Sequence, residues 1–550
     1  MWRGRFPFVI FPEPDDAVPD KKRRDAGQRG EGRYQLSHGL RSMPWKPAYL
    51  AALLVAALLA PPAVAKSDNA EIAGSKDLRK KVTLRGMQQH LTAWQDIAED
   101  NGGHRFAGLP GYEESAEYVF EQLTDAGYQP SYHSFTYDAF IELSASVVEQ
   151  VSPTPTTYVN GNDFRIMTYS GSGNVTAPLA GPTGDPQGCN AVDFAGFPAG
   201  SIALVVRGTC SFRIKTDNAT AAGASGILIY NNIPGLLNGT LGELGGLSGI
   251  PSLGLTQSLG QTLFAQMGSG PVTMHVFTDT DTDTLTTRNV LAELPGKTSE
   301  VIVVGAHLDS VNAGPGINDN GSGSAAILEV ALQMRKVEKH PENTVRFAWW
   351  SAEESGLVGS NRYVASLTQA ERDVIKMNLN FDMVGSPNFV RFVYDGDNSA
   401  FPVGPGAAEG PPGSGEIERV FHDYFASQGL ASAETPFSGR SDYGPFITVG
   451  IPAGGLFTGA EGIKTADQAA TYGGTAGVAY DPCYHAACDT FANVNTQALD
   501  QMSDAIAHAT SHFANRKFDK QPLVNPALAA GVGSGDSGGL HPDDHDGLTR

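Results

Sequence analysis

Basic residues are scarce in this chain. Its 550 residues include 38 Lys and Arg against 59 Asp and Glu, which gives a formal net charge of -21. A nucleic-acid-binding protein needs a basic patch to neutralise phosphates, so this balance argues against one. The composition, 41% hydrophobic, is otherwise that of a globular protein, and the length suffices for two or three domains.

No apolar run is long enough for a membrane helix. The best candidate, residues 48–60, is shorter than the ~20 residues that a membrane helix needs, and Pro61 ends it. The run follows Met43 and Lys46 and precedes a small-x-small site that ends at Ala65. This is the pattern of a secretory signal peptide.

The two chain ends therefore differ from the rest. We predict a signal peptide at 43–65 and a polar leader at 1–42, which a start at Met43 would leave untranslated. The mature protein is expected to be secreted, extracellular or periplasmic, with no membrane attachment after cleavage. Residues 526–550 are rich in Gly, Ser and Asp, which predicts a disordered tail.

Cysteine is also rare, with only Cys189, Cys210, Cys483 and Cys488 in the chain. In an exported protein an even number of cysteines indicates disulfides. Proximity in sequence favours the pairs 189–210 and 483–488. A metal site at the second pair is the alternative, but a thiolate zinc site usually needs four N or S ligands.

Hydrophobic patterning predicts an α/β domain that carries an insertion. Residues 286–525 alternate strands, such as 301–306 and 344–351, with helices, such as 324–338. Such alternation predicts parallel strands with helices on both faces. Residues 138–285 contain short, Val- and Thr-rich strands and predict an inserted, mostly β domain. Residues 66–137 contain helical patterns at 84–98 and 113–126 and a strand-like stretch at 128–137. They would then be the N-terminal part of the α/β domain.

Polar residues follow the predicted strands, where open α/β sheets bind their ligands. Each has an ordinary explanation alone, such as a hydrogen-bonded His–Asp pair or an N-cap aspartate. Adjacent buried carboxylates, however, repel each other and are costly without a cation. Two histidines and three carboxylates, with one carboxylate shared, make a two-metal site, and mixed N and O ligands suit zinc. The polar residues at or near these strand ends, from which the five ligands would come, are His307, Asp309, Asp319, Glu353, Glu354, Asp382, Tyr484 and His485.

In this order the motifs resemble the co-catalytic di-zinc exopeptidases, and in particular the bacterial secreted leucyl-type aminopeptidases. The insertion, 138–285, resembles the protease-associated (PA) domain through VVRGTCSFRIKTDNATAAGASGILIYNN at 205–232. The exopeptidase resemblance covers 84–127 and 288–515, with the subgroup motifs GRSDYGPF at 439–446, GIPAGGLFTGAEGIKT at 450–465 and GGTAGVAYDPCYH at 473–485.

The resemblance implies a three-layer α/β/α zinc-exopeptidase fold with a mixed, mostly parallel sheet and an inserted PA domain. It also implies two zinc ions. The ligands would be His307 and Asp382 on one zinc, Glu354 and His485 on the other, and Asp319 between them.

The implied reaction is removal of N-terminal residues by a water that bridges the two metals. Glu353 would be the general base, and Tyr484 would donate its hydroxyl to the tetrahedral oxyanion. Asp309 would hold the other ring nitrogen of His307. Arg440 could bind either the substrate backbone carbonyl or a C-terminal carboxylate.

Large apolar first residues are the expected substrates, because Met383 and Phe457 are expected to line an apolar pocket. The partners would be peptides or proteins with a free N-terminus, and a monomer is favoured. Some relatives bind calcium near the chain start and the last helix. Asp500 and Asp504 match the helix part, but Lys81 occupies the N-terminal position, which argues against that calcium site.

Two other functions fit parts of the pattern. A metal-dependent carboxypeptidase could use the same fold, with Arg440 binding the terminal carboxylate. A receptor-like protein could keep the fold without the metals, but the intact metal and base residues argue against it.

Overall fold

A computed structural model describes residues 72–520, except 244 and 405, together with residue 523. The predicted leader (1–42), signal peptide (43–65) and tail (526–550) lie outside the described residues. Within the described part, no helix combines the length and the apolar character that crossing a membrane requires.

The secondary structure alternates strands and helices along most of the chain. The strands are β1 Ser131–Ser152, β2 Thr156–Thr157, β3 Phe164–Ile166, β4 Gly173–Ala180, β5 Ile202–Val206, β6 Gly226–Tyr230, β7 Ser252–Leu255, β8 Thr273–Leu294, β9 Val301–His307, β10 Thr344–Trp350, β11 Ile375–Phe381, β12 Phe392–Tyr394, β13 Ala433–Thr435 and β14 Ala453–Phe457. The helices are α1 Lys76–Arg79, α2 Leu84–Asp100, α3 Pro110–Asp125, α4 Phe212–Ala221, α5 Gln257–Met267, α6 Gly323–Val337, α7 Val358–Ser366, α8 Gln369–Val374, α9 Ser414–Ser427, α10 Gly444–Thr448, α11 Ala466–Tyr472 and α12 Thr496–Ala514.

The larger part of the molecule is built on a mixed sheet in the order β13-β12-β14-β11-β9-β10-β8. Strand β9 runs parallel to β10 and β11, and β11 runs parallel to β14. Strands β12 and β8 pair antiparallel with β14 and β10. The predicted three-layer α/β/α fold with a mostly parallel sheet is confirmed.

Burial on both faces explains why the central strands are so apolar. Every residue of β9 is buried, as expected for a parallel strand covered by helices on both sides. Successive side chains of a strand point to opposite faces. In β10, Trp349 packs into the cluster that contains Met87, Leu91 and Trp94 of α2, whereas Trp350 packs into the cluster on the other face.

Two long antiparallel strands join this sheet to the inserted domain. Strands β1 and β8 are 22 residues each; β8 pairs with β4 near its start and with β10 near its end. Strands β5, β6 and β7, parallel to one another, continue the sheet beyond β4. The predicted domain boundaries, 138 and 285, lie opposite each other on these two paired strands, because Tyr137 pairs with Leu285.

Both disulfides form with the predicted pairing. Cys189 is bonded to Cys210 in the inserted domain, and Cys483 is bonded to Cys488. No cysteine remains free.

Candidate active site

The predicted site residues lie where the parallel strands end. His307 is the last residue of β9, and Glu353 and Glu354 lie in the turn after β10. Asp382 follows β11, and Asp319 lies just before α6. Because β11, β9 and β10 are neighbours in the sheet, their carboxyl ends converge on one place.

Asp319 lies between the two histidines. Its Oδ1 is 3.3 Å from His307 Nε2, and its Oδ2 is 3.2 Å from His485 Nε2. His307 Nε2 is also 3.3 Å from Asp382 Oδ1, and His485 Nε2 is 2.9 Å from Glu354 Oε2. The structure therefore brings together all five residues predicted as ligands.

Negative charge is poorly compensated in this cluster. Burial, opposed by His307 and reinforced by Asp382, raises the pKa of Glu353 well above its usual range. Burial, opposed by His485, raises the pKa of Glu354 to about 7. Glu354 Oε1 is buried and has no hydrogen-bond partner among the described residues, and such a group is costly.

The donor set fits divalent cations. Ligand atoms of His307, Glu353 and Asp382 lie within 4.8 Å of one another, and so do those of His307, Asp319 and Glu354. Carboxylate oxygens and imidazole nitrogens are the ligands of catalytic two-metal sites. A cation here would supply the missing positive charge.

Asp309 has a second role that the sequence did not reveal. As predicted, it lies beside His307, with its Oδ1 3.6 Å from the His307 Nδ1. Its two carboxylate oxygens also accept the backbone N–H groups of Glu353, at 3.2 Å, and Glu354, at 3.3 Å. One side chain thus orients a predicted ligand and the turn that carries the predicted base.

Asp489 holds the loop that carries Asp319. Its carboxylate oxygens accept the backbone N–H groups of Asn318 and Asp319, both at 2.9 Å. The peptide bond after Asp319 is cis. Sequence reasoning missed Asp489, although its position next to Cys488 in a predicted disulfide was a usable signal.

Arg105 holds the same loop from the other side and was also missed. This fully buried arginine donates from Nε to the Pro315 carbonyl at 2.9 Å and from Nη2 to the Gly316 carbonyl at 2.7 Å. It also donates to the Leu308 carbonyl, next to His307. A fully buried arginine is rare without such partners.

Ser441 supports Asp382. Its hydroxyl donates to Asp382 Oδ2 at 2.6 Å and accepts a hydrogen bond from Asn380 Nδ2 at 2.8 Å. The serine follows Arg440 in the sequence, within one of the subgroup motifs, but its polar partner could not be predicted from that position.

Tyr484 and Arg440 lie at the same site. The ring of Tyr484 stacks on His485 with 3.8 Å between centroids, and burial raises the pKa of its hydroxyl well above the usual range. The side chain of Arg440 is 49% exposed, and its Nη1 lies 3.5 Å from Glu461 Oε1. Glu461 raises the pKa of Arg440.

Met383 and Phe457 lie on neighbouring segments, because the N–H of Thr458 donates to the Met383 carbonyl at 2.9 Å. Met383 is buried, and its N–H donates to Asn320 Oδ1 at 3.1 Å. Phe457 is partly buried and stacks on Phe392 and Tyr394. Their role in substrate binding stays a prediction.

The guanidinium of Arg79 lies near Asp504, one of the two aspartates that match the helix part of the relatives' calcium site. Burial raises the pKa of Asp504 to about 6, and the guanidinium of Arg79 counteracts that rise. Arg79 also donates to the hydroxyl of Tyr424. Arg79 therefore supplies a positive charge near Asp504 from the protein itself, and the absence of a calcium site there stays a prediction.

Comparison with known proteins identifies both parts of the chain. The model of peptidase family M28 matches residues 289–510, and the PA domain model matches residues 175–263. An aminopeptidase of Pseudomonas aeruginosa is 47% identical over 437 residues, which are 77% of this chain and 79% of that protein. The chain belongs to peptidase family M28. It is therefore a peptide-bond hydrolase, and the predicted family and inserted PA domain are confirmed.

Other relatives agree with this family membership. Leucine aminopeptidase 2 of Trichophyton tonsurans is 40% identical over 476 residues, 84% of this chain and 91% of that protein. Among solved structures, the aminopeptidase from Aneurinibacillus sp. strain AM-1 is 27% identical with a TM-score of 0.61, covering 80% of this chain and 96% of that one. The zinc aminopeptidase BSAP from Bacillus subtilis has the same fold at 22% identity and a TM-score of 0.53, over 78% and 96% of the two chains.

Proposed function

We propose that the protein is a secreted, zinc-dependent aminopeptidase that removes N-terminal, preferably large apolar, residues. The observation that carries this proposal is the position of Asp319, whose two oxygens face His307 and His485. A carboxylate between two imidazoles, with further carboxylates beside each, is the arrangement that a two-metal hydrolase needs.

The proposed metal is zinc, which is also the metal in the description of BSAP as a zinc aminopeptidase. Two ions are proposed because the ligands form two groups that share Asp319. His307 and Asp382 would hold one ion, Glu354 and His485 the other, and Asp319 both. Bound there, zinc would lower the pKa of the attacking water and polarise the scissile carbonyl.

Glu353 is the proposed general base. Its carboxylate lies 4.0 Å from His307 Nε2, and 12% of its side chain remains exposed, so a substrate and a water can reach it. Asp309 fixes its backbone N–H. Glu353 would take a proton from the attacking water and deliver it to the leaving amine, a role worth ~10²–10⁴-fold in rate.

Tyr484 is proposed as the donor to the oxyanion. Burial raises its pKa well above the usual range, so its hydroxyl keeps its proton at neutral pH. The stacking of its ring on His485 places this donor beside a proposed zinc ligand. Loss of one oxyanion donor typically costs ~10²–10³-fold in rate.

The charges around the site favour the aminopeptidase over the carboxypeptidase. The carboxylates of Glu353 and Asp382 would attract the ammonium group of a substrate N-terminus. Arg440, the cation that could bind a C-terminal carboxylate, is paired with Glu461. The relatives reported above are also described as aminopeptidases.

Two substrates decide between these activities. We expect rapid hydrolysis of leucine p-nitroanilide and no hydrolysis of a peptide whose N-terminus is acetylated and whose C-terminus is free. Among p-nitroanilides, leucine, methionine and phenylalanine should be better substrates than glycine or aspartate. Cleavage of the acetylated peptide alone would contradict the proposal and support the carboxypeptidase.

A further inference from the structure

The inserted domain contacts the segments that carry the proposed catalytic residues at two separate places. We propose that it positions them, with Arg165 acting on His485 and Glu243 acting on the turn that carries Glu353. This inference rests on the proposed function and gives the insertion a part in the reaction.

The first contact fixes His485. Arg165 lies in β3, and its Nη1 donates to the backbone carbonyl of His485 at 3.4 Å. His485 has a φ of 55°, a left-handed conformation that is uncommon for a residue other than glycine. Its segment is closed by the disulfide between Cys483 and Cys488. A backbone in such a conformation persists only where its surroundings hold it, and Arg165 is part of those surroundings.

The second contact is an ion pair between the two domains. Both carboxylate oxygens of Glu243 lie 3.1 Å from Arg362 Nη2. Arg362 belongs to α7, which begins at Val358, directly after the turn that carries Glu353. Glu243 also accepts the backbone N–H of Asp138 at 3.3 Å, which anchors it within the inserted domain.

The backbone of the inserted domain also packs against this turn. A Cβ added at Gly356 would lie 3.7 Å from the Cα of Gly242 and 4.0 Å from the side chain of Thr240. The N–H group of Gly356 donates to the carbonyl of Glu353 at 2.7 Å. The loop 240–243 therefore lies next to Gly356, the residue whose N–H closes the hydrogen-bonded turn of the general base.

The turn itself needs support from outside. Ala352 and Leu357, on either side of Glu353 and Glu354, have φ values of 55° and 59°. Non-glycine residues in this region are strained and persist only when neighbouring structure holds them. Asp309 holds the inner side of the turn, and the inserted domain borders the outer side.

The two contacts predict defects in the residues that they position. Because His485 is a proposed zinc ligand, Arg165→Met should weaken zinc retention by about 10- to 100-fold, the range for groups that orient metal ligands. The turn next to Arg362 carries both Glu353, the proposed base, and Glu354, a proposed zinc ligand, so Glu243→Gln should lower both kcat and zinc affinity by about 10-fold. In Glu243→Gln, KM should stay within about 2-fold of wild type.

The experiment uses the full mature chain. Zinc affinity is measured by competition with a chromophoric chelator, kcat and KM on a peptide that the wild type cleaves, and folding by thermal melting. Arg165→Lys keeps the charge and should restore most of the zinc affinity. Glu149→Gln is the matched control, since Glu149 lies in the same domain and contacts Thr157 and His275; it should behave as wild type.

If a single variant does not fold, the double variant Glu243→Arg with Arg362→Glu tests the same ion pair with its two charges exchanged. This double variant should recover kcat to within about 3-fold of wild type. The inference is overturned if Arg165→Met and Glu243→Gln keep wild-type zinc affinity and kcat, or if Glu149→Gln loses as much. The zinc competition assay needs no substrate, and kcat can be measured on any peptide that the wild type cleaves. Failure of this positioning role can therefore be distinguished from failure of the proposed aminopeptidase activity.

Discussion

At the residue scale, Asp309 links the parts of the site. Its carboxylate lies beside His307 and accepts the N–H groups of Glu353 and Glu354. The distance between a proposed ligand and the proposed base is therefore set by one buried side chain. Such outer partners of metal ligands commonly matter almost as much as the ligands themselves.

Glu353→Ala separates the base from the metal ligands. We expect kcat to fall by ~10²–10⁴-fold, because no other proposed group takes the proton from the water. Zinc content, measured by atomic emission on protein purified without chelator, should remain two per chain. Glu99→Ala, an exposed change in α2, is the control. Loss of zinc together with activity would mean that Glu353 is a ligand.

At the scale of single elements, helix α12 contains a buried histidine that makes stability depend on pH. His508 stacks on Tyr424, and its Nδ1 lies 2.9 Å from Ser75 Oγ. Burial lowers the pKa of His508 to about 3, from an ordinary value of 6.5. Below pH 6.5 the unfolded chain therefore binds a proton that the folded chain does not. The stability from the neutral imidazole is complete above pH 6.5 and is lost as the pH falls toward 3.

His508→Leu should reduce this dependence. Each pH unit below 6.5 costs the wild type about 1.4 kcal/mol through His508, so about 2 kcal/mol is expected between pH 7 and pH 5. Urea unfolding at both pH values, with chelator present, should show a smaller loss for the variant. His340→Leu, at an exposed position, is the control. Equal losses in variant and wild type would contradict the assignment.

Elements with a strong local pattern could be predicted from the sequence, and those defined by distant partners could not. The apolar runs at 301–306 and 344–351 became β9 and β10, and the helix predicted at 324–338 is α6, Gly323–Val337. The full length of β1 was missed, because its second half is a strand only through pairing with β8, far along the chain.

The same distinction applies to the site. His307, Glu353 and Glu354 stand out because polar groups directly follow apolar strands. Arg105 and Asp489 act through backbone carbonyl and N–H groups of the Asp319 loop. Such contacts leave no spacing pattern in the sequence, so only the folded chain reveals them.

At the scale of the whole molecule, secretion is the prediction with the plainest test. The bonded cysteines agree with an oxidising compartment. Expression of the full sequence in a bacterial host should release protein whose N-terminal residue, by Edman sequencing, is Lys66. Recovery only from the cytoplasm, with an N-terminus before Met43, would contradict the predicted signal peptide.

The ribbon of β1 and β8 also offers a place to remove the insertion. Tyr137 and Leu285 are paired neighbours, and paired residues of antiparallel strands are only about 5 Å apart. A two-residue hairpin turn spans such a gap. The chain between them can therefore be replaced by a short turn while β8 keeps its pairing with β10. Within the peptidase domain, residues 131–137 of β1 and 285–291 of β8 thus already form the two paired arms of a β-hairpin. The inserted domain takes the place of the turn that would join these arms.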